Sequence, residues 1–396
     1  MRLERRSVLT GGAALAAITA LPAPLFAQRG RAKIAKVEAF AVRSAVFVKV
    51  TADDGTGGWG EAGHSGGALV ARIINREMAQ LVVGEDVFAG EASWAKLFFE
   101  FDELGPGGLV SQAIAGIDCA LWDLRGRLLR QPVWALLGGK FRDSYPVYGS
   151  FSIDLGGGKR MTADQAGRTA AELIGEGFGA VKVRLAIREE NADPDPDPAI
   201  PVVRAVRAAI GNDVPLYVDA NNGYRPARAI EVGRRLAGDF GVSVFEEPVA
   251  AFHYASMAEV SAALDIAIAA GEHEYTPFAF RDLIQQGRPD VLNPDVSKLM
   301  GLTAGLHVAS LAELFDKPIS VHNARPTLLT AAHAHYVARA RTATRLQEHP
   351  GAKRLAQLWD YFDNRIVAEN GRITVPNTPG LGLEVREAAI RNAAAG

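Results

Sequence analysis

The chain has 396 residues, with 43 Lys plus Arg against 45 Asp plus Glu, a formal net charge of −2. Its apolar share of 48% is enough for a large core and excludes a disordered chain. The near-neutral balance gives no basic surface for nucleic acid as a main partner, and the single cysteine, Cys119, excludes an internal disulfide and any multi-cysteine metal site. A bound metal would have to be held by carboxylates or histidines.

Residues 1–27 read as an address rather than as fold. Arg5 and Arg6 precede a weakly apolar stretch broken by Pro22 and Pro24, and the small Ala27 before Gln28 fits a cleavage point. The segment RRSVLTG resembles a bacterial twin-arginine signal, which implies export of a folded protein to the periplasm. The apolar run is too short for a membrane span, so no membrane association is expected after its removal.

Residues 31–144 are expected to form an α+β N-terminal domain. Val46, Val48 and Val50 alternate, Asp53-Asp54-Gly55 supplies turn chemistry and GGWGEAG follows, which predicts a hairpin or meander. Residues 68–104 read as helical. Ile114, Ile117, Leu121, Leu124 and Leu128 then form one apolar stripe of an amphipathic helix, ended by Pro132 and Gly138-Gly139.

From 145 to 360 short apolar strands alternate with helical stretches. The strands predicted are 146–151, 180–185, 215–220, 242–248, 266–272, 291–296, 318–323 and 344–349. Eight near-equal units, none followed by G-x-G-x-x-G, favour a (β/α)8 barrel over an open doubly wound sheet. Residues 361–396 are too few to fold alone and are expected to pack back on the N-terminal domain. NADPDPDPAIP (191–201) holds three Asp-Pro dipeptides, which exclude helix there. It would lie at the barrel mouth, as a solvated spacer or a substrate gate.

Polar residues recur at the carboxyl ends of these strands: Lys182 and Arg184, Asp219, Glu246 with Glu247, Glu272, Asp295, His322 and Glu348. From Asp219 the steps are 27, 26, 23, 27 and 26 residues, one βα unit each. Burying a charge at each strand end is unfavourable unless it is paired or bound to metal, and in a barrel all these ends meet in one pocket. Asp219, Glu246 or Glu247, and Glu272 would form an oxygen-rich site suited to Mg²⁺. Alternation allows only one of Glu246 and Glu247 inside the barrel. It also turns His273 away from Glu272, with Glu274 on the same side as Glu272.

These motifs resemble the enolase superfamily, in its mandelate racemase-like branch. The resemblance spans residues 33–385 and rests on GWGE (58–61), AIAGIDCALWDLRG (113–126), PVYGS (146–150) and the ordered series K-x-R, VDANNGY, FEEP, AGEHE, NPD, VHN and QEH. It implies a modified TIM-type barrel with an N-terminal capping domain. It also implies abstraction of the proton α to a carboxylate, through an enediolate, by a Lys or His base with Mg²⁺. Carried onto this chain, Asp219, Glu246 and Glu272 become the metal ligands and Lys182 the first strand-two lysine. His322 becomes the base, Asp295 its orienting partner and Glu348 an acid that hydrogen-bonds the enediolate. Asn221 and His64 become substrate contacts. The capping segments Ala45–Val48 and 61–67 would then select the substrate, and a symmetric homo-oligomer is the common assembly. The histidines at 253, 307, 333, 335 and 349 are read as structural.

Arg184 departs from the pattern, because a two-base racemase of this branch usually carries a second lysine there. A guanidinium stays protonated and makes a poor base but a good fork for an oxygen anion. Racemisation needs proton transfer on both faces. Dehydration needs one base and an acid for the leaving hydroxyl. The expected reaction is therefore dehydration of a sugar acid to a 2-keto-3-deoxy acid, and GEHEYTPFAFRDLI (271–284), which resembles acid-sugar dehydratases, agrees. The alternatives are a racemase, epimerase or cycloisomerase using the same intermediate, and a non-catalytic periplasmic solute-binding protein. The last would need neither the acidic triad nor the His-Asp pair.

Overall fold

The computed structural model describes residues 32–63, 65–351 and 355–395. Residues 1–27, read above as an export signal, and His64 lie outside the described residues. The N-terminal unit is an antiparallel sheet of β1 (Ile34–Val42), β2 (Ala45–Ala52) and β3 (Gly57–Ala62), in that order. Val46, Val48 and Val50 are buried as the alternation requires, but so is Phe47. Its outer face is covered by the C-terminal segment, where Phe362 meets it edge-on at 5.8 Å.

Helix α1 (Gly108–Leu129) lies against β2 and β3. The contact is so close that a Cβ on Gly60 would stand 2.5 Å from backbone atoms of Gly116 and Ala120, which is why the GWGE strand carries glycine there. The opposite side of α1 packs on the helix Gly301–Leu314, where Thr303 N–H donates to Asp118 (2.9 Å) and Trp122 Nε1 to Thr303 Oγ1 (3.0 Å). The single stripe read from the sequence is thus too narrow. Asp118, Asp123 and Arg125 are buried as well, because α1 is clamped between cap and barrel.

The barrel strands are β4 (Ser144–Ser152), β5 (Val181–Arg184), β6 (Leu216–Asp219), β7 (Val242–Glu246), β8 (Ala267–Ala270), β9 (Val291–Leu292) and β10 (Gln347–His349). They run parallel in the order β9-β8-β7-β6-β5-β4-β10. Six of the eight predicted strands appear where the apolar runs lie, and β10 keeps only the end of the eighth. The seventh, expected over 318–323, is reduced to one bridge between Ile319 and Leu292. Its seam is closed by other means. Leu292 N–H donates to Pro318 O (2.9 Å) and Ser320 N–H to Leu292 O (2.9 Å). The Gln347 side chain accepts from Val321 N (2.8 Å) and donates to Ile319 O (3.0 Å). A side-chain amide does there the work of a strand ladder.

After β10, Arg372–Thr374 pairs antiparallel with β4. The last helix, Glu387–Ala395, reaches the cap sheet through Lys49–Glu387 (2.6 Å) and Arg391–Glu38 (2.9 Å). The Asp-Pro segment is no free spacer. Asp197 accepts from Tyr224 Oη (2.9 Å) and Ala199 N (2.9 Å), and Asp193 accepts from Arg225 N (2.9 Å).

Candidate active site

Strand register sets the site. Arg184 on β5 stands beside Asp219 on β6, which stands beside Glu246 on β7, so the three charged ends are level. Asp219, Glu246 and Glu272 are all buried, and each offers an oxygen within 4.8 Å of the others. Burial pushes the Asp219 carboxyl up to about 7 against the pull of Lys182, and Glu247 and Glu272 add to that push. Three hard oxygens held this close, at such electrostatic expense, fit a divalent cation. Asn221 holds the Asp219 carboxylate in place, its backbone N–H donating at 2.7 Å and its Nδ2 at 2.8 Å. Its own Oδ1 accepts from Ala186 N (2.9 Å). Asn221 therefore lines the pocket with both amide atoms engaged by protein, an orienting clip beyond the substrate contact expected of it.

Across the pocket His322 Nδ1 meets Asp295 Oδ2 at 2.8 Å, and its Nε2 lies 3.0 Å from Glu272 Oε2. Burial would raise the Asp295 carboxyl, but the His322 bond and charge outweigh it and hold it well below the usual range. The other Asp295 oxygen accepts from Ser297 N (2.8 Å) and Oγ (2.7 Å), so the carboxylate is fixed on both sides. An anchored carboxylate on Nδ1 leaves Nε2 as the working nitrogen, facing the acidic cluster.

On β5 Lys182 is fully buried, 2.7 Å from Glu246 and 3.2 Å from Glu348. Burial opposes its charge, yet the two carboxylates hold it far above its ordinary value as an ammonium. Glu348 also accepts from Asn323 N (3.0 Å). Arg184 lines the cavity, and its Nε is buried with no hydrogen-bond partner among the described residues. The cavity measures about 450 Å³, the size of a small-molecule site.

Several residues stand differently from the sequence reading. Glu246 and Glu247 both face the site, because Glu247 has a left-handed φ of 41° and breaks the strand alternation. Glu247 accepts from His273 Nδ1 at 2.7 Å, and His273 lines the pocket 4.0 Å from Glu272 rather than turning away. Glu274 turns outward to Tyr254 Oη (3.0 Å). Ala45–Val48 are buried within β2 and do not line the cavity. The turn residue Ser44 does, with Ser65 of the 61–67 segment.

Sequence reasoning missed Lys298, Arg325 and Glu61. Lys298 lies 3.2 Å from Glu272, and Arg325 lines the pocket while paired with Glu61 of β3. Glu61 also accepts from Thr327 Oγ1 and Leu329 N, so the end of the GWGE strand pins the loop after His322. Lys298 and Arg325 sit on loops with no period to mark them, and Glu61 on β3 acts from the cap. The one signal was their closeness to NPD, VHN and GWGE. His333, His335 and His349 are structural. Burial pushes each down to about 4, and each accepts a backbone N–H, from Val296, Trp134 and Gly351.

Residues 165–389 match the family described as "Enolase C-terminal domain-like", and residues 26–138 match "Mandelate racemase / muconate lactonizing enzyme, N-terminal domain". D-galactarolactone cycloisomerase of Agrobacterium fabrum is 32% identical over 358 residues, 88% of this chain and 90% of that protein. D-galactonate dehydratase of Ralstonia nicotianae is 33% identical over 353 residues, 87% of this chain and 90% of that protein. A mandelate racemase/muconate lactonizing protein from Paracoccus denitrificans, solved with magnesium, superposes with a TM-score of 0.85 at 34% identity, covering 91% of this chain and 98% of that one.

Proposed function

The chain belongs to the mandelate racemase / muconate lactonizing enzyme-like branch of the enolase superfamily, as a lyase or isomerase, and from that premise we propose that it dehydrates a sugar acid to a 2-keto-3-deoxy acid with Mg²⁺. The observation that carries this reading is the asymmetry of the pocket. One wall offers the His322–Asp295 pair (2.8 Å). Strand β5 offers the guanidinium of Arg184, which lines the cavity, and Lys182, buried between two carboxylates.

Asp219, Glu246 and Glu272 would hold the cation, which when bound supplies Lewis-acid stabilisation of charge on the substrate carboxylate. His322 Nε2 takes the proton from the carbon α to that carboxylate, with Asp295 fixing the imidazole. Lys182 stabilises the developing negative charge by hydrogen bonding and field. Glu348, anchored by Lys182 and Asn323 N, orients the ammonium. Elimination of the β-hydroxyl then needs one proton donor, and His322, protonated in the first step, supplies it. Inversion at the α-carbon would need a proton donor and acceptor on the Arg184 side, for which a guanidinium is unsuited.

The test is a panel of sugar acids with Mg²⁺, followed by semicarbazide detection of 2-keto acids. Product from at least one acid, lost in His322→Asn, is expected. A panel that yields only epimers or lactone isomers would assign the isomerase reading instead. The relative named as a cycloisomerase makes that the second reading.

A further inference from the structure

The cavity holds more positive charge than the reaction described above uses. Of the cations that line it, Lys298 is paired with Glu272 and Arg325 with Glu61. Two are left. Among the described residues Arg184 has a buried Nε without a hydrogen-bond partner, and the Arg188 side chain makes no hydrogen bond or ion pair. The acids lining the cavity, Glu272 and Glu348, already face Lys298 and Lys182.

Arg188 is held at the rim, and the backbone that carries it is constrained. Ala186 and Arg188 have φ of 48° and 69°, conformations that L-residues adopt only when their surroundings impose them. What imposes them is visible. Ala186 N–H donates to Asn221 Oδ1 (2.9 Å), and Arg160 donates to the carbonyls of Leu185 and Ala186. The clip that orients the Asp219 carboxylate thus also sets the loop that brings Arg188 to the cavity. Arg184 stands on the inner wall beside Asp219, and Arg188 stands four residues further along the same loop.

We propose that Arg184 and Arg188 receive a second carboxylate, so that the substrate is a sugar diacid bound by one carboxylate at the acidic cluster and by the other at this arginine pair. This rests on the sugar-acid reading and narrows it from sugar acids in general to dianionic ones. Guanidinium forks match carboxylates in geometry, and a charge-assisted hydrogen bond at a partly dry site contributes about tenfold or more in affinity. Arg188 then acts as a specificity-determining residue that leaves the proton transfer itself alone.

The test is calorimetric and needs no turnover. The Mg²⁺-loaded full chain carrying His322→Asn is titrated with three matched six-carbon acids: one carboxylate, two carboxylates, and one carboxylate with a terminal phosphate. The diacid is expected to bind about tenfold or more tightly than the monoacid. Adding Arg188→Met should remove most of that preference, with an unchanged melting temperature because Arg188 is exposed. Arg184→Lys should weaken it less, since charge is kept and only the fork is lost. Equal or undetectable binding of mono- and diacid, a preference kept in Arg188→Met, or tightest binding of the phosphate would each overturn the proposal. Failure of the sugar-acid reading looks different: the wild-type protein would convert none of these acids, whatever it binds.

Discussion

Replacing Asp219 by Asn should separate metal response from intrinsic stability. In the wild type the Asp219 carboxyl is buried beside Glu246, Glu247 and Glu272, and burial pushes it up to about 7. An amide removes that charge but keeps one oxygen to accept from Asn221. Without divalent cation the variant should therefore melt at or above the wild-type temperature, the usual exchange of function for stability at a charged site. With Mg²⁺ at about 100 times its dissociation constant, the wild type should gain about 2.7 kcal/mol. At about 2.1 cal/mol/K per residue, a chain this long has an unfolding entropy near ~0.8 kcal/mol/K, so the melting temperature should rise by about 3–4 °C. The assay is a thermal melt of both proteins in EDTA and over a Mg²⁺ titration, followed by fluorescence or calorimetry. A wild type indifferent to Mg²⁺, or an Asp219→Asn variant with the full response, would refute the idea that these three carboxylates form a cation site.

Other outcomes follow from the same geometry. Asp295→Asn removes the charge that anchors His322 Nδ1 while leaving an oxygen for Ser297, so kcat should fall about 10–100-fold with little change in KM; steady-state kinetics on any acid found active checks this. Burial pushes Asp118, on the barrel-facing side of helix α1, up to about 6. Because the folded state then holds this proton more tightly than the unfolded one, stability should fall as pH rises from about 4 to about 6, by about 3 kcal/mol from this group. Thermal melts across that interval should show the slope in the wild type and a flatter one in Asp118→Asn; parallel curves would remove the assignment. If residues 1–27 direct export, changing Arg5 and Arg6 to Lys should move the protein from the periplasmic to the cytoplasmic fraction.

The sequence made the barrel and the acidic cluster legible because both depend on period. Apolar runs recur with the βα unit, and Asp219, Glu246 and Glu272 end successive strands, so spacing alone brings them together. Features that break a period were hidden. Glu247 faces the pocket only because its φ is positive, which alternation cannot foresee. The seventh stave needs Gln347 to bridge its seam, and a side-chain amide leaves no strand signature. Helix α1 is buried on two sides because Thr303 meets it from another domain, a contact 185 residues away in the chain. Lys298, Arg325 and Glu61 work from loops or across the domain boundary, where residue type is the only clue.

In the proposed reaction one base, His322, acts on one face. The most direct measurement of this is NMR of an active sugar acid turned over in heavy water, with product and unreacted substrate both analysed. Expected are a 2-keto-3-deoxy acid as product, residual substrate of unchanged configuration, and no reaction with His322→Asn. Recovery of the α-epimer carrying deuterium at that carbon would contradict it, since a second base would then be working from the Lys182–Arg184 wall.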